Sequence, residues 1–148
     1  MRDGAEKPHP DAAGIAGMQQ RSTIYIVDER PLSRHALWLR LMHPKRSFRL
    51  FGDARSALAA LERETPSLIV ADLDLPDLDG VALLAEVRRR RPLVRTVLVS
   101  GTETPVGARH ALQDRIIDEL VSRPVEALDY VVRRLLREGW EEWLPVAV

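Results

Sequence analysis

The stretch Ser67–Gly80, which reads SLIVADLDLPDLDG, constrains the fold more than any other. It begins with a continuous apolar run, Leu68–Ala71, which is typical of a strand buried on both faces of a parallel sheet. The run ends at Asp72, and an acidic loop with a proline leads into a helical pattern from Val81. Ligands of open parallel sheets bind beyond the carboxyl ends of the strands, so Asp72 is placed where chemistry is expected.

The same order of apolar run, polar strand end and helical pattern recurs along the chain. Pro31 is a good first helical residue and Asp53 a good N-cap, so helices are predicted to follow both. Five alternations imply right-handed crossovers and an α/β fold, with helices on both faces of a five-stranded parallel sheet. The predicted strands are Thr23–Val27, Phe48–Phe51, Leu68–Ala71, Val94–Val99 and Ile117–Ser122.

Helical periodicity predicts which faces of the first and last helices are buried. In the last helix the apolar residues recur clearly, and Gly139 is expected to close it. In the first helix the predicted apolar stripe has Leu41 as an alternative member, and Pro44 ends the pattern. The stripe of the last helix is Leu128, Val131, Val132, Leu135 and Leu136, and that of the first is Leu32, Ala36, Leu39 and Met42.

The composition fits one cytoplasmic domain. The 148 residues can bury a core of their own, and the absence of cysteine excludes disulfides and thiolate metal sites. Twenty-two basic residues balance 22 acidic ones, which argues against a protein whose whole surface binds nucleic acid. No apolar run approaches the roughly 18 residues of a membrane helix, and no secretory signal is visible at the N-terminus.

We predict three segments: an N-terminal arm over 1–21, the domain over 22–138 and a C-terminal tail over 139–148. About ten residues follow the last helix, too few for an output domain unless the chain is a fragment. Output by protein contact is therefore expected, without direct nucleic-acid or membrane binding. Trp140, Trp143 and Leu144 either pack on the domain or form a partner site, and the last helix could form a homodimer.

Five polar residues follow strands and so fall on one rim of the sheet: Asp28, Glu29, Asp72, Ser100 and Arg123. Two carboxylates about 5 Å apart repel by about 3 kcal/mol at an effective dielectric of 20. A hard cation with oxygen ligands, such as Mg²⁺, would relieve that repulsion. One carboxylate could then attack a phosphoryl group, while the metal, Arg123 and the Ser100 hydroxyl share the charge on its oxygens.

These residues carry a family resemblance. The pieces are IVDE at 26–29, DLDLPDLDG at 72–80, SG at 100–101 and RP at 123–124. Over about Thr23–Arg137 the chain resembles a response-regulator receiver domain of bacterial two-component signalling. The resemblance implies a flavodoxin-like sheet with strand order 2-1-3-4-5. It also implies a histidine kinase or phosphotransfer protein as phosphodonor and no enzyme activity beyond self-phosphorylation and autodephosphorylation.

By position, the resemblance assigns a role to each residue of the rim. Asp72 would be the phosphoacceptor and a Mg²⁺ ligand, with Asp28 and Glu29 as the acidic Mg²⁺ pair. Asp74 would bind the ion through its backbone carbonyl. The Ser100 hydroxyl would move with the transferred phosphoryl group.

Three positions depart from the family pattern. Arg123 stands where lysine is usual, and its wide planar fork need not reach the same oxygen. Leu120 stands where an aromatic ring usually reports phosphorylation. Gln113–Asp118 replaces a common Ala-Gly-Ala turn, so the fourth helix and its exit could be rebuilt.

Several alternatives stay open at this point. The first hypothesis is a single-domain response regulator phosphorylated on Asp72, and the second is a degenerate receiver that binds partners without phosphorylation. Asp77 and Asp79 are interpreted as loop and cap residues rather than ligands. Arg88–Arg91 is interpreted as a solvated helix end favoured by the helix dipole, rather than as a nucleic-acid patch.

Overall fold

Strands and helices alternate in a computed structural model that describes residues 21–101 and 103–139. The predicted arm, apart from its last residue, and the tryptophans of the tail lie outside the described residues. The strands are β1 (Ser22–Val27), β2 (Arg46–Phe51), β3 (Leu68–Asp72), β4 (Arg95–Ser100) and β5 (Glu119–Ser122). The helices are α1 (Pro31–Leu41), α2 (Ala54–Leu61), α3 (Gly80–Arg90), α4 (Val106–Gln113) and α5 (Leu128–Leu136).

All neighbouring strands are parallel, in the order β2-β1-β3-β4-β5, which confirms the predicted fold class. β1, β3 and β4 lie inside the sheet and are buried almost throughout, as their continuous apolar runs require. Within the described residues, no helix is long and apolar enough to cross a membrane.

Two apolar layers cover the faces of the sheet because successive side chains of a strand point to opposite faces. On one face Tyr25, Ile69 and Leu98 pack with residues of α2, α3 and α4. On the other face Ile26 and Val70 pack with residues of α1 and α5. The predicted stripe of α5 is confirmed, with its first three members buried and the last two partly buried against this layer.

The predicted stripe of α1 is wrong, and its alternative member is right. Leu32 and Leu39 are exposed, by 86% and 54% of their surface, whereas Leu37 and Leu41 are buried. The rotation of the helix is fixed at its start, where side chains of its first turn bind Asp28. Leu37 and Leu41 lie one and two turns after Ser33 on the same face of the helix, and they therefore point into the core.

The end of α5 also differs from the prediction. Arg137, not Gly139, takes the left-handed conformation after the helix, with φ 58°, and the Glu138 N–H donates to the Arg133 carbonyl. The Glu138 carboxylate lies 2.8 Å from Nη2 of Arg46, whose side chain is fully buried at the start of β2. This ion pair fixes the residues that follow α5 against the start of β2.

Candidate functional site

Two buried carboxylates lie side by side at the carboxyl edge of the sheet. The register pairs Val27 of β1 with Ala71 of β3, so the residues that follow them, Asp28 and Asp72, are neighbours. Asp28 is fully buried and Asp72 is 3% exposed. The predicted convergence of these two acids on one rim therefore follows directly from the parallel register.

Arg123 joins the two acids from the end of β5. Its Nη2 lies 2.7 Å from Asp72 Oδ1 and 3.5 Å from Asp28 Oδ2. Its backbone N–H donates to the Ser100 carbonyl, and the Arg123–Pro124 peptide bond is cis. At an effective dielectric of about 20, unit charges about 4 Å apart interact by about 4 kcal/mol. The attraction energy between Arg123 and each acid is therefore comparable to the repulsion energy between two carboxylates about 4 Å apart.

A second guanidinium, that of Arg30, lies at the mouth of the site. Its Nη2 is 3.6 Å from Asp72 Oδ1 and its Nε is 3.7 Å from Asp28 Oδ1, and 61% of the side chain is exposed. The Arg30 backbone N–H also donates to Asp28 Oδ1 over 3.0 Å. The sequence analysis missed this residue, although its place between the acidic pair and Pro31 was a usable signal.

Both acids also accept hydrogen bonds from residues close to them in sequence. Ser33 Oγ donates to Asp28 Oδ2, and Arg34 Nη1 donates to the Asp28 carbonyl over 2.7 Å. The Asp74 N–H donates to Asp72 Oδ2 over 3.0 Å, so this residue touches the site through its backbone. Both acids are thus oriented by neighbouring hydrogen-bond donors.

The hydroxyl predicted to follow a phosphoryl group has partners of its own. Ser100 is fully buried at the end of β4, and its Oγ lies 3.2 Å from Thr104 Oγ1 and donates to the Gly101 carbonyl over 3.3 Å. Thr104 Oγ1 lies in turn 3.4 Å from Ser122 Oγ at the end of β5. Thr104 was missed by the sequence analysis, because it lies in a loop without a motif.

The four predicted Mg²⁺ ligands are not assembled as a metal site. Glu29 is exposed, as is the Asp74 side chain, while Asp28 and Asp72 face guanidinium groups. Among residues 21–101 and 103–139, no group of three or more acidic, histidine or cysteine side chains could hold a metal ion. This donor set, whose charges are already paired with guanidinium groups, does not fit Mg²⁺.

A family model for the response regulator receiver domain matches residues 24–132. The chain belongs to this family. The response regulator FleR of Pseudomonas aeruginosa is 35% identical over 130 residues, which are 84% of this chain and 27% of FleR. The probable transcriptional regulatory protein TcrX of Mycobacterium tuberculosis is 28% identical over 120 residues, 77% of this chain and 48% of TcrX. The receiver chain thus spans less than half the length of these curated relatives.

Solved structures support the same fold. The response regulator TrrA of Thermotoga maritima, in complex with Mg²⁺ and BeF, aligns with a TM-score of 0.67 and 21% identity. The alignment covers 77% of this chain and 98% of TrrA. At this identity the likeness speaks for the receiver fold alone.

The loop acids after Asp72 cap helices of the receiver domain, which confirms their interpretation. Asp79 accepts a hydrogen bond from the Ala82 N–H at the start of α3. Asp77 reaches across to α2 and accepts hydrogen bonds from the N–H groups of Ala54 and Arg55. Burial tends to raise the pKa of the Asp77 carboxyl, but these backbone donors outweigh burial and hold that pKa below its usual value.

The exit from α4 is held by Arg88, in the last turn of α3. Arg115 takes the left-handed conformation, with φ 60°, and Asp118 then accepts a hydrogen bond from the Thr96 N–H over 2.9 Å. Arg88 Nη2 lies 2.9 Å from Asp118 Oδ2. The interpretation of Arg88–Arg91 as a merely solvated helix end is therefore incomplete, because its first residue supports this exit.

Proposed function

We propose that this receiver domain accepts a phosphoryl group on Asp72 from a histidine kinase or phosphotransfer protein. The observation that carries the proposal is the position of Asp72, which lies buried beside Asp28 at the carboxyl edge of the sheet. A carboxylate can attack phosphorus as a nucleophile, and an adjacent guanidinium can bind the oxygens of the transferred group. The hydroxyl of Ser100, at the end of the neighbouring strand, would move with the transferred phosphoryl group.

Phosphorylation would act on the α4-β5-α5 face by shifting its conformational populations, which would change what a downstream protein binds. Leu120 packs partly buried against the core, so the change would pass through packing without an aromatic ring. The relatives FleR and TcrX are named as regulators, which supports a regulatory output. A cytoplasmic location, a possible homodimer through α5 and the absence of turnover beyond self-modification belong to the same proposal.

The test is intact-mass measurement after incubation with a small phosphodonor and Mg²⁺. The wild-type chain should gain one phosphoryl group, and Asp72→Asn should gain none. Asp114→Asn is the matched control, because Asp114 is an exposed residue at the end of α4, and it should behave as wild type. A modified Asp72→Asn protein would place the reaction elsewhere and overturn the proposal.

A second candidate is a degenerate receiver that binds its partner without phosphorylation. The bridge from Arg123 to both Asp28 and Asp72 favours it, because it occupies the acids that the reaction needs. A wild-type chain that gains no mass under the same conditions, while still binding its partner, would support this candidate. If Arg123→Lys then gained the phosphoryl group, the arginine would be the cause.

A further inference from the structure

The charges of the site are already balanced without a metal ion. Two carboxylates, those of Asp28 and Asp72, face two guanidiniums, those of Arg30 and Arg123, within 2.7–3.7 Å. The third acid of the sequence pattern, Glu29, is exposed and belongs to no group that could hold a metal. The excess negative charge that would attract a divalent cation is therefore missing from this pocket.

The two guanidiniums differ in depth. Arg123 is 27% exposed and makes the short 2.7 Å contact with Asp72. Arg30 is 61% exposed, and its contacts with both acids are longer than hydrogen bonds. Exposed ion pairs of this length are weak, so Arg30 is free to exchange its carboxylate contacts for those of an incoming anion.

Guanidinium groups suit a phosphoryl group better than they suit a single carboxylate oxygen. Each presents a planar fork of N–H donors that binds two phosphoryl oxygens at once. One fork inside the pocket and one at its mouth would approach the group from two sides. Together they supply two positive charges next to the reacting oxygen, as many as one divalent cation carries.

We propose that Arg30 and Arg123 form a guanidinium clamp that binds the incoming phosphoryl group, so that Asp72 is phosphorylated without a divalent cation. The inference rests on the proposed function. With phosphoramidate as donor, an Asp72 carboxylate oxygen forms the new P–O bond as the P–N bond breaks. The nitrogen, already carrying three hydrogens, takes the bonding electron pair and leaves as ammonia.

The test compares phosphoramidate labelling in EDTA and in Mg²⁺ by intact mass. In EDTA the wild-type chain should gain one phosphoryl group at a rate within about twofold of that in Mg²⁺, because the clamp supplies the charge. Arg30→Ala should slow labelling in EDTA by about tenfold, the size of one lost charge-assisted hydrogen bond, and Arg30→Lys should recover part of the rate. Arg40→Ala is the matched control, because Arg40 is an exposed arginine of α1, the helix that follows Arg30, and this variant should label as wild type.

A salt series adds a readout that a purely structural role would not move. Added salt should slow the wild-type chain more than Arg30→Ala, because the variant has lost a charge that attracts the donor. Circular dichroism confirms that each variant is folded. Labelling that requires Mg²⁺ would overturn the clamp and leave the proposed function standing, whereas no labelling in either condition would overturn both. Equal rates for wild type and Arg30→Ala in EDTA would overturn the role of Arg30.

Discussion

Gly80, the first residue of α3, lies directly against the backbone of Asp72. A Cβ at position 80 would lie 2.4 Å from the Asp72 carbonyl oxygen and 2.6 Å from Leu98 Cδ1. The constraint is one of space, since Gly80 does not have a positive φ. The Gly80 N–H donates to the Leu73 carbonyl, which fixes α3 against the end of β3. The glycine that closes the acidic loop thus sets the position of the proposed phosphoacceptor.

Replacing this glycine should destabilise the fold. Gly80→Ala should lower the free energy of unfolding by about 1–3 kcal/mol, because the backbone of Asp72 cannot yield to a new methyl group. The measurement is urea denaturation followed by circular dichroism. Gly107→Ala is the control: a Cβ there meets nothing within 4 Å, and alanine favours the helix. Equal stability of Gly80→Ala and wild type would contradict the close approach.

Magnesium affinity should appear when the guanidiniums are removed. Calorimetric titration of the wild-type chain with Mg²⁺ should show weak binding or none, because the charges of Asp28 and Asp72 are already paired. The double variant Arg30→Ala/Arg123→Ala should bind Mg²⁺ at least about tenfold more tightly, since the acids then repel each other and attract the ion. Wild-type binding as tight as that of a double variant that does bind Mg²⁺ would instead support the Mg²⁺ site predicted from the sequence.

The cap that Asp77 places on α2 should make part of the stability depend on pH. Because hydrogen bonding lowers the pKa of its carboxyl in the folded chain, its contribution is complete above the unfolded pKa of about 3.9. The contribution is lost as the pH falls through the lower folded value. Asp77→Ala should cost about 1 kcal/mol near neutral pH, and the difference from wild type should shrink in acid.

Urea denaturation at several pH values measures this effect. The control Asp114→Ala removes an exposed carboxylate at the end of α4 and should change the free energy of unfolding by no more than about 0.5 kcal/mol. A cost of Asp77→Ala that stays constant down to strongly acidic pH would show that the charge of the cap contributes nothing.

The buried ion pairs of Arg46 should be worth more than exposed pairs on the same strand. Arg46 is fully buried and lies 2.8 Å from both Asp129 and Glu138, which ties β2 to α5 and its exit. Arg46→Met should cost about 3–5 kcal/mol, because it leaves the nearly buried Glu138 carboxylate without Arg46, whereas Asp129 keeps its pair with Arg133. Arg49→Met, which breaks a half-exposed pair with Glu64, should cost much less than Arg46→Met. Chemical denaturation of both variants decides the comparison.

The sequence by itself determined the layers of the fold and the edge that carries the site. Continuous apolar runs such as Leu68–Ala71 must be buried on both faces, and crossovers between parallel strands leave their carboxyl ends on one edge. Asp28, Asp72 and Arg123 therefore meet wherever such a sheet forms. Local signals also predicted Asp53 and Asp79 as helix caps, because a cap acts within one turn.

Only the tertiary structure decided how these parts are turned and paired. The rotation of α1 buries Leu37 rather than Leu39, since contacts of its first turn with Asp28 outweigh a weak apolar period. Arg30 reaches both acids, and Asp77 caps a helix that begins 23 residues earlier in the chain. Such contacts depend on distances between elements remote in sequence, which local periodicity does not encode. For the same reason, only the tertiary structure showed that Asp28 and Asp72 lie against guanidinium groups instead of forming a metal site with a third acid.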